Sequence, residues 1–330
     1  MNSKALSILK YIGLLGIGVG LVFLAFRGIN FQEIYFSISN AEYIWLLPSF
    51  FFSIIAHYSR AVRWNILIES LGYKTSTSNS FYAVCIGYLA NTAVPRLGEV
   101  TRCSVLNKTQ KAPMDKLIGT VVLERVIDVV IVFILLFSLV GLEYDVFGTF
   151  FLELLGSKFG FLKNIWLSVS IGLIAGGLLT FFFFKKWGSR IRSLPFLGKL
   201  FVFIEGIWNG LLSIRTINRP YLFIFHSFFV WGMYLLSTMA AFRCLQPTYN
   251  LDFGEGLAVI VAGGFGMAAP TPGGIGSYHL LVSEVLTIFG ISKADGLAAA
   301  TLNHLSQTIF IILLGAISFL MLFLQRTKND

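Results

Sequence analysis

The chain has 330 residues, of which 56% are hydrophobic and 12% are charged. Soluble domains carry about twice this charged fraction, so the composition excludes a soluble globular protein and predicts an all-α polytopic membrane protein. The net charge of +9 does not indicate nucleic-acid binding, because the basic residues lie between apolar runs, where they set orientation in the membrane.

Six apolar runs are predicted to cross the bilayer as helices. They are Tyr11 to Phe26, Tyr43 to Leu67, Leu117 to Val140, Ile165 to Phe184, Tyr221 to Ala241 and Leu297 to Leu324. Lys4 and Lys10 precede the first run, but no small-x-small cleavage site follows it, so it is predicted to be an uncleaved span. Residues 1–330 are expected to form one integral membrane domain without a soluble domain.

Two shorter apolar pieces are interrupted by helix breakers. Phe81 to Val94 stops at Pro95, and the arms Gly256 to Met267 and Tyr278 to Phe289 flank a turn that contains Pro270, Pro272, Gly273, Gly274 and Gly276. An arm of a dozen residues reaches ~18 Å, well short of a ~30 Å hydrocarbon core. Both pieces are therefore predicted to be re-entrant helical hairpins, and two full helices with kinks are the alternative.

Lysine and arginine positions decide the orientation. With both termini in the cytoplasm and both short pieces re-entrant, most of the 25 basic residues fall on the cytoplasmic side. The first hairpin then enters from the cytoplasm and the second from outside, a pattern expected of inverted repeats in transporters. This symmetry is predicted from hydropathy and helix breaks alone. The expected location is the cell inner (cytoplasmic) membrane.

Two connecting segments combine charged with aromatic residues. Lys185 to Leu212 contains lysines, arginines and Trp208, and Glu143 to Glu153 contains three phenylalanines. Such segments commonly lie in the headgroup plane. Ordinary connectors are the alternative.

Ionisable residues occur inside two predicted spans. Glu124, Arg125 and Asp128 lie on one span, and buried charges there must be paired or hydrated. Arg60 lies deep enough on another span to pair with Glu124 or Asp128, whereas Arg63, one turn further along, is expected to extend to the headgroups. The group either lines a cavity or fixes one span to its neighbour.

Each interruption is followed by polar residues. Arg96, Glu99 and Arg102 follow the first break, and guanidinium groups bind phosphate through parallel hydrogen bonds. His279 follows the second turn closely enough to reach it. The last span carries Asn303, His304 and Gln307, which line a site or make a polar helix contact.

The cysteines and the classical motifs indicate neither a metal nor a cofactor. Cys85, Cys103 and Cys244 lack ligand spacing and are predicted to be packing residues. The sequence also lacks the common hydrolase, metalloprotease and nucleotide-binding motifs. These observations favour a transporter over an enzyme.

Three motifs in this order resemble the flippase-like transmembrane region of lysylphosphatidylglycerol synthases. They are Arg96-Leu97-Gly98-Glu99-Val100-Thr101-Arg102, Glu124-Arg125-Val126-Ile127-Asp128 and Pro270-Thr271-Pro272-Gly273-Gly274-Ile275-Gly276. The resemblance implies movement of an aminoacylated phospholipid between leaflets. The synthase chemistry belongs to a soluble C-terminal domain that this sequence is not expected to contain.

The resulting hypothesis is a lipid translocase whose partner is a membrane phospholipid or a polyprenyl-phosphate lipid. The alternatives are a proton-coupled transporter of a small solute, a membrane-embedded transferase acting on a lipid-linked substrate, and a structural scaffold. A homo-oligomer and a separate lipid-modifying enzyme are further partners that the sequence leaves open.

Overall fold

The computed structural model describes residue 16 and residues 19–28, 31–144 and 213–327, and these contain helices and no strand. Residues 19–26 are helical. The longer helices that follow are α1 (Phe31–Ser39), α2 (Leu46–Ser70), α3 (Thr77–Ala93), α4 (Leu97–Gln110), α5 (Met114–Leu142), α6 (Pro220–Phe242), α7 (Phe253–Ala268), α8 (Ser277–Ile288) and α9 (Lys293–Thr327).

Four of the predicted spans are helices in the structure. They correspond to α2, α5, α6 and α9. Helices α5, α6 and α9 extend beyond the predicted run at both ends, whereas α2 begins three residues later than predicted, after the 3₁₀ helix Tyr43–Trp45, and ends three residues later. Within the described ranges, α5, α6 and α9 are individually long and apolar enough to cross a membrane. Some predicted segments lie outside the described residues: the span Ile165 to Phe184, residues 11–15, 17 and 18 of the run Tyr11 to Phe26, the segment Lys185 to Leu212 and the phenylalanines after Glu143.

Helix α1 was not predicted from hydropathy. It is bent by 74° from the segment Tyr43–Ser70, and the two segments together satisfy the length and hydropathy of a span. Phe31, Tyr35 and Phe36 on α1 are exposed. Ser37 contacts Asp295 near the start of α9 and so fixes α1 against that end of the bundle.

The first predicted hairpin consists of α3 and α4, joined by Val94–Arg96. Ser76 caps α3 by accepting a hydrogen bond from the Asn79 amide, which starts the helix four residues before the apolar run. The two arms touch through glycines, because a Cβ added at Gly98 would lie 2.1 Å from the Gly87 carbonyl oxygen. The Gly98 amide donates to Asn91 Oδ1 at 2.6 Å, which supplies a partner to a backbone group at the start of α4.

The second predicted hairpin consists of α7 and α8, joined by a turn that includes the short 3₁₀ helix Pro272–Gly274. Asp252 and Glu255 form a capping box at the start of α7. The arms approach closely where a Cβ at Gly266 would lie 2.7 Å from the Tyr278 Cα. The Ser277 hydroxyl donates to the Gly266 carbonyl at 2.7 Å, which satisfies a backbone acceptor beside the break.

The two hairpins lie against opposite halves of α9. Hairpin α7–α8 packs on its N-terminal half, where Asn303 Nδ2 donates to the Tyr278 hydroxyl at 2.7 Å. Hairpin α3–α4 packs on its C-terminal half, where a Cβ at Gly315 would lie 2.7 Å from the Leu89 Cβ. The two turns meet between these contacts, since a Cβ at Gly273 would lie 3.8 Å from the Thr92 Cα. This is the geometry expected of hairpins that enter a bilayer from opposite faces.

Apolar side chains from several helices hold the hairpins in place. Trp64, Ile68, Val84, Cys103 and Leu106 belong to one buried cluster between α2 and the first hairpin. The second hairpin shares another cluster with α9 and the end of α6. All three cysteines are buried and free, as expected of packing residues.

Replacement of Gly98 by alanine is expected to destabilise the first hairpin by about 1–3 kcal/mol, because the methyl group would overlap the Gly87 backbone. Gly232→Ala is the matched control, since Gly232 lies within α6 with nothing within 4 Å of an added Cβ. Thermal unfolding in detergent measures both. Equal midpoints for the two variants would show that the close approach of α3 and α4 contributes nothing to stability.

Candidate functional site

A cluster of buried charges joins α2, the first hairpin and α5. We call it the arginine cluster, and its members are Arg60, Arg63, Arg102, Glu124 and Asp128. Each residue as a whole is at most 6% exposed. Arginines three apart on α2 and carboxylates four apart on α5 each share one helix face, which allows the two faces to meet.

Arg60 forms the predicted pairs with α5. Its Nη1 donates to Glu124 Oε1 at 2.6 Å and to Asp128 Oδ2 at 3.0 Å. The guanidinium carbon also lies 5.9 Å from the Tyr234 ring centroid on α6. Arg60 therefore connects three helices at one point.

The prediction that Arg63 extends to the headgroups is wrong. Its side chain is fully buried, with Nη2 3.1 Å from Glu124 Oε1 and 2.8 Å from Asp128 Oδ1. The physical reason is that Arg63 lies on the same face of α2 as Arg60, toward α5. Two carboxylates are available there, and they compensate the charge at that depth.

Arg102 brings the first hairpin into the cluster. Its Nη1 lies 3.2 Å from Glu124 Oε2, and its guanidinium carbon lies 4.7 Å from the Trp64 ring centroid. Trp64 is itself fixed because its indole donates to the Thr120 hydroxyl at 2.9 Å. The Arg102 Nε and Nη2 atoms are buried and have no hydrogen-bond partner among the described residues.

The arginine cluster carries one more positive than negative charge. Three buried guanidinium groups face two buried carboxylates, and both carboxylates are already shared by Arg60 and Arg63. Buried donors without acceptors are costly in a low-dielectric interior. An anion at Arg102 would balance the charge and accept the unused hydrogen bonds.

A small pocket lies beside Arg102, between the arms of the first hairpin and α5. It is lined by Val84, Gly87, Tyr88, Asn91, Gly98, Glu99, Arg102 and Arg125. Arg125 and Glu99 form its rim, with Arg125 Nε 3.5 Å from Glu99 Oε1 and side chains 42% and 26% exposed. Arg125 Nη1 also lies 3.7 Å from Asp128 Oδ2, which joins the rim to the arginine cluster.

Aromatic residues next to the cluster were missed by sequence reasoning. The Tyr88 and Tyr234 hydroxyls are 3.1 Å apart, and the His57 ring centroid lies 4.8 Å from that of Tyr88. His57 is buried and its Nδ1 has no partner among the described residues. The one available signal was the position of His57 three residues before Arg60 on α2.

Other predicted site residues lie away from the arginine cluster. Arg96 is exposed at the first turn, in a left-handed conformation with φ of 62°. Gln307 joins a polar group with Ser49, Ser53 and Ser237, which connects α2, α6 and α9. Arg96 is thus exposed whereas Arg102 is buried, and a joint phosphate site of the two stays a prediction.

The residues around the second turn form a separate polar group. His304 Nε2 donates to the Gly273 carbonyl at 2.8 Å, because a carbonyl oxygen can only accept. The His279 and His304 ring centroids are 4.8 Å apart. Pro272, Gly274 and Gly276 are buried in this turn, whereas Pro270 is exposed. Positive φ values at Gly273, Gly274 and Gly276 explain the glycines.

No group of three potential metal ligands occurs among the His, Cys, Asp and Glu side chains in the part of the chain that the structure describes. The arrangement instead consists of the buried arginine cluster and a pair of histidines, His279 and His304. Each lies beside the break of a short hairpin, with long apolar helices around it.

The fold defines an integral, multi-pass membrane protein with two broken helical hairpins. The family described as lysylphosphatidylglycerol synthase TM region matches residues 11–315. The chain belongs to this family, as the three sequence motifs implied.

The names of two similar proteins state that they are membrane proteins and mention no activity. UPF0104 membrane protein MJ1595 of Methanocaldococcus jannaschii is 27% identical over 303 residues, which cover 86% of each chain. UPF0104 membrane protein PH1989 of Pyrococcus horikoshii is 25% identical over 336 residues, which cover 93% of this chain and 96% of the relative. No solved structure matches the chain.

Replacement of Glu124 by glutamine is expected to destabilise the protein by about 3–5 kcal/mol, because three buried arginines would then face one carboxylate. Glu284→Gln is the control, since the Glu284–Lys293 pair is exposed and such pairs contribute about 0–1 kcal/mol. Chemical unfolding in detergent measures both. A Glu124→Gln variant as stable as the control would show that the carboxylate does not hold the arginine cluster together.

Proposed function

We propose that this protein is a lipid translocase, a transporter rather than an enzyme. The lipid phosphate passes through the polar interior at Arg102 while the acyl chains remain in the bilayer. The substrate is a phospholipid or a polyprenyl-phosphate lipid. The membrane is the cell inner membrane, with both termini in the cytoplasm.

Arg60, Arg63 and Arg102 all have buried nitrogens without hydrogen-bond partners among the described residues. The observation that carries the proposal is that, of these three, Arg102 is the one that lines the pocket. Its Nε and Nη2 are buried without partners beside a pocket, in a cluster with one excess positive charge. A guanidinium edge binds two phosphate oxygens in parallel, and Trp64 holds its plane in position. A lipid phosphate at Arg102 would replace its hydrogen bonds to water by hydrogen bonds to these two nitrogens. This replacement lowers the free-energy cost of moving the phosphate into the membrane interior.

The hairpin arrangement supports a path between the leaflets. Each hairpin occupies one half of α9, and the two turns touch between the halves. A polar headgroup could then reach the same central point from either face of the membrane. The glycine-rich second turn is the segment expected to move during this passage. The family is named after the membrane region of a phospholipid synthase, which favours a lipid over a soluble solute.

Purified protein in proteoliposomes is expected to accelerate leaflet exchange of labelled phospholipid. Arg102→Gln should reduce this rate about tenfold to a hundredfold, the effect of losing a charged hydrogen bond. The variant leaves two arginines facing two carboxylates, so the remaining cluster is balanced and the fold should persist. A dithionite-quenching assay on fluorescent lipids measures the rate, and circular dichroism checks the fold.

Arg219→Gln is the control for charge removal. Arg219 pairs with Glu69 at an exposed position between α2 and the start of α6, outside the arginine cluster. The Arg219→Gln variant should exchange labelled lipid between leaflets at the wild-type rate. The proposal is wrong if the wild-type protein accelerates neither phospholipids nor polyprenyl phosphates, or if both variants lose activity equally.

A further inference from the structure

The histidine pair at the second turn is a polar site that the arginine cluster does not use. His279 lies on α8 and is 8% exposed, and His304 lies on α9. Their ring centroids are 4.8 Å apart with an interplanar angle of 56°. His279 Nδ1 and the nearby Asn303 Oδ1 are buried without hydrogen-bond partners among the described residues. Imidazole nitrogens bind protons near neutral pH. Two imidazoles at this spacing, one of them with a buried nitrogen that has no partner, are therefore a candidate proton-binding site.

The hydrogen bond to the Gly273 carbonyl shows which nitrogen of neutral His304 carries its hydrogen. His304 Nε2 carries a hydrogen in every protonation state compatible with donation to the carbonyl. A proton added at His304 Nδ1 makes that hydrogen bond charge-assisted, and such bonds are shorter and about twice as strong as neutral ones. Binding of a proton therefore tightens the attachment of the second turn to α9.

The surroundings limit the pair to one proton. Among the described residues, the groups in ring or hydrogen-bond contact with it are Phe26, Tyr278 and the Gly273 carbonyl. Tyr278 is titratable, and its hydroxyl oxygen accepts a hydrogen bond from Asn303 Nδ2 at 2.7 Å. The first hairpin contributes Thr92 near the Gly273 side, and that residue is neutral. With no carboxylate in these contacts, a second imidazolium at 4.8 Å would be repelled without compensation.

We propose that His279 and His304 form a binding site for a single proton, and that its occupancy controls the contact between the two hairpin turns. Gly273 links the two events, because its carbonyl accepts from His304 and its Cα side faces Thr92. Linkage makes the effect reciprocal. If the bound proton favours the attached position of the turn by a given factor, separation of the turn from α9 weakens proton binding by that same factor. The site itself is independent of the lipid substrate, whereas coupling of the proton to lipid movement rests on the proposed function.

Histidine-selective NMR of the full-length protein in bilayers tests the site directly, because the chain has four histidines. Between about pH 8 and pH 4, the signals of His279 and His304 should titrate together and take up one proton in total. His226→Gln is the control and should leave this titration unchanged, since His226 lies on α6 and pairs with Ser59. Uptake of two protons, or of none over this range, would overturn the proposal.

Hydrogen exchange of residues 271–276 tests the link to the turn. After correction for the intrinsic rate, wild-type exchange should slow several-fold as the pair is protonated. His304→Gln keeps a hydrogen-bond donor for the Gly273 carbonyl but cannot titrate, so hydrogen exchange in this variant should lose its pH dependence. His304→Leu has no such donor, and its turn should exchange faster than that of His304→Gln. A pH response that survives in His304→Gln would overturn the link.

The same variants separate this inference from the proposed function. If lipid exchange occurs, an imposed pH gradient should change its rate in the wild type and not in His304→Gln. If the protein moves no lipid, the NMR titration and the hydrogen exchange still decide whether the proton site exists.

Discussion

The structure depends on the compensation of three buried guanidinium groups by two carboxylates. Arg60 and Arg63 on α2 share Glu124 and Asp128 on α5, and Arg102 joins them from the first hairpin. Burial of so many charges costs several kcal/mol per ion before pairing, so the cluster is a poor means of gaining stability. It is an effective means of fixing position, because each arginine has partners only when α2, α4 and α5 meet in one arrangement. The same arrangement leaves one positive charge in excess and buried nitrogens of all three arginines without hydrogen-bond partners among the described residues.

The hairpins solve a second problem, which is how to keep broken backbone inside a membrane. At each turn the freed groups find protein partners: Asn91 accepts from the Gly98 amide, and Ser277 donates to the Gly266 carbonyl. Glycines let the arms approach closely enough for these bonds. Because α9 is shared, the arginine cluster and the histidine pair belong to one connected unit, and a shift of either turn must change packing along that helix. A charged site and a titratable site at the ends of two touching hairpins suit alternating exposure to the two faces.

Much of this could be predicted from sequence where the signal is local. Apolar length gave the spans α2, α5, α6 and α9, and proline with glycine gave both turns. Depth in the span correctly paired Arg60 with Glu124 and Asp128. Arg63 was predicted wrongly because hydropathy locates the end of an apolar run but not which helix faces which. The same limit hid Trp64, Tyr88 and Tyr234, whose roles arise from contacts between helices distant in sequence. It also made Arg96 look equivalent to Arg102, although only Arg102 lies on the buried face of α4.

The most direct measurement of the central claim is the contact between arginine nitrogen and lipid phosphorus in a bilayer. Solid-state NMR dephasing between ¹⁵N-labelled arginine side chains and ³¹P reports such contacts at hydrogen-bonding range. We expect the wild-type protein to give a dephased signal that disappears in Arg102→Gln and persists in Arg219→Gln. If the Arg102→Gln spectrum retains every dephased signal of the wild type, the phosphate is bound elsewhere and the arginine cluster only holds the helices together.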